Sequence, residues 1–137
     1  MNWKLIFELS LFAVAMAFGT VFAIPPNVEP AFWLVIFLIC GYIIARRSPK
    51  SPFAHGIVLG LVNSIWITAA HIVFFERYIA GHPQEAAMMK SMPVASAPRL
   101  MMAITGPIVG LISGILIGGL AFGAAKLLNR HAIKAAV

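Results

Sequence analysis

Apolar residues along this chain gather into four long runs, bounded by proline and charge: Trp3 to Ile24, Ala31 to Ala45, Phe53 to Phe75 and Leu100 to Ala125. About 20 residues at 1.5 Å per residue cross a ~30 Å hydrocarbon core, and three of the runs reach that length. The second is short and spans only where Arg46 and Arg47 snorkel or the bilayer thins. Pro30 suits a first helical position, and the turn from Pro25 to Glu29 is tight enough to fold the first two spans into an antiparallel hairpin. The spans are placed at 3–24, 31–46, 53–76 and 100–125, with an outer loop at 77–99, in a single transmembrane domain covering 1–137. The predicted fold is all-α, an integral membrane four-helix bundle.

Within the third loop, Pro83 suits a helix start, and Glu85, Met88, Met89 and Met92 follow at helical spacing until Pro93. This predicts one short amphipathic helix on the outer membrane surface. Lys4, Arg46, Arg47, Lys50, Lys126, Arg130 and Lys134 lie on one side of the spans, against Arg77, Lys90 and Arg99 on the other. By the positive-inside rule both termini are expected in the cytoplasm. Lys4, the first apolar run and Val21-Phe22-Ala23 also resemble a signal peptide; Glu8 in its core and Pro25-Pro26 beyond it favour a retained first span.

Composition supports a membrane class: 61% of residues are hydrophobic and 10% charged, too few polar groups to wrap a water-soluble globule. The net charge of +6 lies at span ends, where it meets lipid headgroups, and no basic-aromatic strip points to nucleic acid. Cys40 is the single cysteine, which removes intrachain disulfides and paired-thiol metal or redox sites. The expected location is a bacterial-type inner (plasma) membrane, with several passes and the lipid bilayer as the first partner.

Gly106, Gly110, Gly114 and Gly118 repeat every four residues in the fourth span, and each step drifts about 40° around the helix. They form a continuous groove of the glycine-zipper type, which serves close helix packing in lipid, either within the chain or in a homo-oligomer or larger membrane complex. Pro107 is a candidate kink. In the third span Asn63, Ser64, Thr68 and His71 share an arc of about 140° with Gly56 and Gly60. Such a stripe avoids lipid and faces the bundle interior, as interhelical hydrogen bonds or as a path in which His71 titrates. His55 falls off that arc, at the interface. Glu8 is the acid inside a span, shallow enough to pair with Lys4, or turned inward as a functional carboxylate.

Met88, Met89 and Met92 with His82 are a weak candidate for soft-metal capture, thioethers selecting Cu(I); methionine is equally a filler of apolar helix faces. Copper importers of the Ctr type are similar in pairing outer methionines with glycine-rich helices, but here the MxxxM pair, Met88 to Met92, lies in the loop. In size, four spans and a carboxylate in the first, the chain also resembles the small multidrug resistance family, whose members exchange protons for cationic drugs as dimers. That likeness covers architecture and no motif, since Glu8 is shallower and the third loop longer than the family pattern.

No cofactor is implied. With no Asp there is no Ser-His-Asp set, and neither HExxH nor GxSxG occurs, so no enzyme is expected. The leading expectation is a non-enzymatic structural or accessory subunit packed through the glycines of its fourth helix. The alternative is a small proton-coupled or ion transporter using Glu8 and His71, with a wet cavity where the first and third spans meet; copper handling stands third.

Overall fold

A computed structural model describes residues 1–91 and 96–135, with side chains described through residue 130. The described residues form six helices and no strand: α1 (Trp3–Phe22), α2 (Glu29–Arg47), α3 (Pro52–Val73), α4 (Phe75–Gly81), α5 (Pro83–Lys90) and α6 (Pro98–Ala135). Four of them, α1, α2, α3 and α6, are long and apolar enough to cross a membrane.

Several expected boundaries shift, for local reasons. The second helix is not short: Glu29 and Pro30, read from sequence as turn and start, both lie in its first turn, and Arg46 and Arg47 close it. The acid at the amino end and the cations at the carboxyl end complement the helix dipole. The third span ends at Val73, before Phe74, instead of reaching residue 76. Two short helices occupy the third loop where one was expected, α4 preceding the one that starts at Pro83. α6 runs for 38 residues, unbroken through Pro107 and ten residues past the expected end of the span. Hydropathy ends near Ala125, but Lys126, Leu127, Leu128 and Arg130 are good helix formers, so the helix outlasts its apolar stretch.

The dominant packing is α3 against α6, with α1 on another part of α3 and α2 on α6. Glycine makes the first contact possible. A Cβ on Gly56 would strike the backbone of Gly118, and one on Gly60 the backbone of Gly110 and Gly114. In return, a Cβ on Gly114 would come within 2.8 Å of the Ile57 carbonyl oxygen, one on Gly118 within 2.7 Å of that of Phe53, and one on Gly106 would collide with Thr68. The two backbones touch directly, so van der Waals contact in lipid is maximal along this seam. Gly41 does the same for α2, where a Cβ would lie 2.9 Å from Leu120.

Around these contacts the core gathers Leu5, Ile6, Leu9 and Met16 of α1, Ile36, Cys40 and Ile44 of α2, Leu59 of α3, and Ile117 and Ala121 of α6. A second cluster, Val21, Tyr78 and Met102 with Phe74, Phe75 and Met89, seats α4 and α5 on the far end. Phe7, Leu11, Ile65, Ile108, Ile112 and Leu116 are exposed outside, the arrangement expected where the surrounding solvent is hydrocarbon.

At the amino-terminal end, the Asn2 side chain caps α1 by accepting from the Leu5 N–H at 3.1 Å. The Asn2 backbone N–H donates to His55 Nε2 at 2.9 Å, and His55 Nδ1 lies 2.8 Å from the Ser51 carbonyl. His55 is therefore buried and ties α1 to α3, where sequence had placed it at the interface.

The seam predicts a sharp split among glycine variants. Gly60→Leu and Gly114→Leu should each destabilise the fold by about 3 kcal/mol or more, because the obstacle is backbone rather than a movable side chain. Gly119→Leu, with open space around its Cβ, should change stability by less than about 0.5 kcal/mol. Thermal unfolding in detergent measures both; equal losses at positions 114 and 119 would refute the assignment of the seam.

Candidate functional site

The polar stripe of α3 turns one side to the glycines of α6 and the other to a cleft. This cleft, of about 990 Å³, is bordered by Glu29, Trp33 and Phe37 of α2, the stripe of α3, Gln84, Glu85, Met88 and Met89 of α5, and α6 from Met101 to Leu116. α2 and α6 form opposite walls here, and they meet at the other end, where Gly41 abuts Leu120 and Ala121. Leu34, Val109 and Leu116 line the cleft yet are more than half exposed, so it opens sideways between α2 and α6. α4 contributes Tyr78, and α5 lies across the end of the cleft.

Among the residues singled out from sequence, Asn63, Ser64, Thr68 and His71 are brought together on this wall. Ser64 spends its hydroxyl proton on the Leu61 carbonyl at 2.8 Å, and Thr105 opposite donates to Met101 at 2.9 Å. Asn63 is 6% exposed, and its Oδ1 finds no hydrogen-bond partner among the described residues. His71 Nε2 pairs with the Thr20 hydroxyl of α1 at 3.0 Å.

Glu8 is not part of this site. Its carboxylate sits at the opposite end, half exposed, 3.0 Å from Arg47 and 4.0 Å from Lys4. Lys4 was the expected partner, but the nearer one is Arg47 at the end of α2. The cleft is not the wet cavity expected between the first and third spans. α1 lines no part of the cleft, and the surface it packs with is filled by Leu9, Ala13 and Ala17. The glycines Gly106 and Gly110 do border the cleft, while Gly114 and Gly118 lie against α3 beyond it.

A second group surrounds the end of the cleft, and sequence reasoning missed most of it. His71 stacks on Tyr78 at 3.8 Å between ring centroids, and Tyr78 stacks on His82 at 4.1 Å. His82 Nδ1 lies 2.9 Å from the Tyr78 carbonyl oxygen, and its Nε2 faces Glu29 Oε2 at 3.5 Å without the alignment of a hydrogen bond. The Trp33 indole donates to the other oxygen of Glu29 at 3.0 Å, and the Tyr78 hydroxyl donates to Glu85 at 2.5 Å. The legible signal was spacing: Glu29 and Trp33, and Tyr78 and His82, stand four apart, neighbours on a helix face.

As a soft-metal site the set comes apart. His82 is turned toward Glu29, Met88 is exposed, Met89 packs near Tyr78, and Met92 lies outside the described residues. No group of three or more His, Cys, Asp or Glu placed to hold a metal ion occurs among the described residues. Burial raises the Tyr78 phenol well above its ordinary value, and the hydrogen bond to Glu85 and the charges of Glu85 and Glu29 raise it further.

No protein-family model, characterised protein or solved structure matches this chain. The class rests on its own features: an all-helical protein with four helices fit to cross a membrane, consistent with a multi-pass membrane protein.

Because the phenol is held protonated in the fold, its contribution to stability is whole below pH 10.0, its ordinary pKa, and declines as pH rises above that value. In a Tyr42→Phe background, where Tyr78 is the remaining tyrosine, ultraviolet titration of the folded protein should show no tyrosinate at pH 10. Tyr78→Phe keeps the stack and loses the bond to Glu85, which should lower stability by about 1 kcal/mol in thermal unfolding.

Proposed function

We propose that the chain is a small, non-enzymatic integral membrane protein, a four-helix bundle with both termini cytoplasmic, that admits a small solute to its outer-half cleft as a transporter does. One observation carries this reading: the polar stripe of α3, beside its contact with the glycines of α6, borders a cavity of about 990 Å³. That volume lies in the range of ~300–1,000 Å³ typical of ligand sites. Polar groups in a membrane are costly unless they hydrogen-bond or line a path, and Asn63 Oδ1 does not bond within the described residues. His71 is the proton-handling candidate in this reading, since Glu8 stands at the other end, paired with Arg47. Passage to the cytoplasmic side requires α2 and α6 to part where Gly41 meets Leu120 and Ala121.

The accessory-subunit reading keeps support from one feature. The zipper glycines of α6 are taken up by α3 of the same chain, but Gly119 and Gly123 have nothing within 4 Å of a Cβ position and leave a small-residue face open. Under that reading, native mass spectrometry finds the chain in a homo-oligomer or larger membrane complex, and Gly119→Leu dissolves it. Unchanged assembly in the variant removes this face as the contact.

Solvent access tests the transporter reading directly. Cys40 is 0% exposed, so thiol background is low. In lipid nanodiscs, Thr105→Cys in the cleft should react with a membrane-impermeant maleimide, and Ile108→Cys, 56% exposed on the lipid side, should not. A Thr105→Cys protein that stays unlabelled would mean a dry cleft and no solute path.

A further inference from the structure

The end of the bundle away from the cleft holds a second pocket. Glu8 and Leu9 of α1 with Tyr42, Ile43, Arg46 and Arg47 of α2 line a space of about 350 Å³. We propose that this pocket binds an anionic phospholipid, its phosphodiester held by Arg46 and Arg47 and one acyl chain lying in the groove between α1 and α2. Lys4, Arg46 and Arg47 stand there against a single carboxylate. Both oxygens of Glu8 are already turned to cations, Oε2 to Arg47 at 3.0 Å and Oε1 to Lys4 at 4.0 Å. The acid steadies Arg47 through Nη1, and the other guanidinium nitrogens bond to nothing among the described residues. Arg46 makes no hydrogen bond or ion pair among the described residues, and its guanidinium lies 5.9 Å from the centre of the Tyr42 ring. An arginine laid on an aromatic face is fixed in direction while its N–H groups stay unspent. Two guanidinium forks at one pocket match the oxygens of a phosphate, which arginine bonds in pairs.

Depth and shape favour a lipid over a soluble anion. Trp3, at the start of α1, and Tyr42, one turn before Arg46, are each about half exposed, as aromatic residues at the headgroup level of a membrane are. The floor of the pocket is apolar, formed by Leu9 and Ile43. One turn deeper on the same helix faces, Phe12 and Ile39 are 37% and 38% exposed, so an apolar track leads from the arginines toward the hydrocarbon. A soluble phosphate leaves that track uncovered, whereas a phospholipid fills both parts. Basic pockets between spans are places where anionic headgroups are held. A choline lipid brings the same phosphate together with a cation that the arginines repel.

Native mass spectrometry of the full chain in detergent, titrated with dioleoyl phosphatidylglycerol or dioleoyl phosphatidylcholine, reads the first bound lipid. The anionic lipid should bind at roughly tenfold lower concentration, equal to ~1.4 kcal/mol. Arg46→Gln with Arg47→Gln should bring the two lipids within about twofold of each other. Lys126→Gln with Arg130→Gln removes the same charge from α6, where Lys126 lies 4.5 Å from the Phe122 ring centre, and should keep the preference. Arg47 also holds Glu8, so Arg46→Gln alone carries the test should the double variant fail to fold; it should cut the preference about threefold. sn-Glycerol 3-phosphate, in about hundredfold excess, should not displace the lipid. Displacement would make this a site for soluble phosphate and overturn the lipid assignment. Equal binding of the two lipids by the parent protein, an unchanged preference in the arginine variants, or an equal loss in both double variants overturns the pocket as the binding site.

Discussion

The backbone contact between α3 and α6 sets the terms for everything else in the molecule. Lipid offers helices no hydrophobic drive toward each other, so association relies on dispersion, which falls off steeply with distance. Gly56 and Gly60 on one helix and Gly106, Gly110, Gly114 and Gly118 on the other remove the side chains that would hold the axes apart. With that seam fixed, Ser64 and Thr68 lie against Gly110 and Gly106 at its edge, and Asn63 and His71 continue the same stripe along the cleft. α2 then reaches α6 through Gly41 at one end and leaves the other end as a wall of the cleft.

Polar side chains in such a protein are arranged so that few call on the bilayer for partners. Ser10 donates to the Phe7 carbonyl and accepts from the Trp66 indole; Ser64, Thr20 and Thr105 return their protons to their own helices. These bonds make hydroxyls cheap inside a span. Asn63 has no such local solution for its amide oxygen, and His71 reaches across to Thr20 while its ring stacks on Tyr78. The stack continues to His82, so the end of α3, the short α4 and the first turn of α2 are joined through aromatic faces and Glu29. α4 is thus bound to the spans by specific contacts, and α5 to α4 through the bond from Tyr78 to Glu85.

Much of the fold was legible in the sequence because lipid imposes so simple a rule: long apolar runs become helices. Errors arose where another rule prevailed. Glu29 read as the end of a turn because it is polar, yet in the first turn of a helix an acid is as favourable as the Pro30 that follows it. The tail of α6 lost its hydropathy but not its helix propensity. The arc of Asn63, Ser64, Thr68 and His71 could be computed from 100° per residue, so one wall of the cleft was visible in advance. The other walls were not, because which helices stand opposite is decided by contacts far apart in the chain. Glu8 illustrates the same limit: its local partner Lys4 was readable, while Arg47, brought near by the return of α2, was not.

The lateral opening follows from that division of labour. α6 gives its glycine face to α3, and α2 meets it closely only near Gly41, so a gap must remain on the side where large residues such as Leu34, Phe37 and Val109 face one another. Closing it would take a smaller residue set on α2, like the one that α3 presents. The chain instead places bulky apolar walls beside the polar stripe and roofs the end with Gln84 and Glu85. A seam built for tight packing alone has no use for the acids at that end or for the unpartnered Asn63 amide beneath them. Close packing of the glycines of α3 and the placing of its polar side chains at the edge of the cleft are therefore consequences of one helix register.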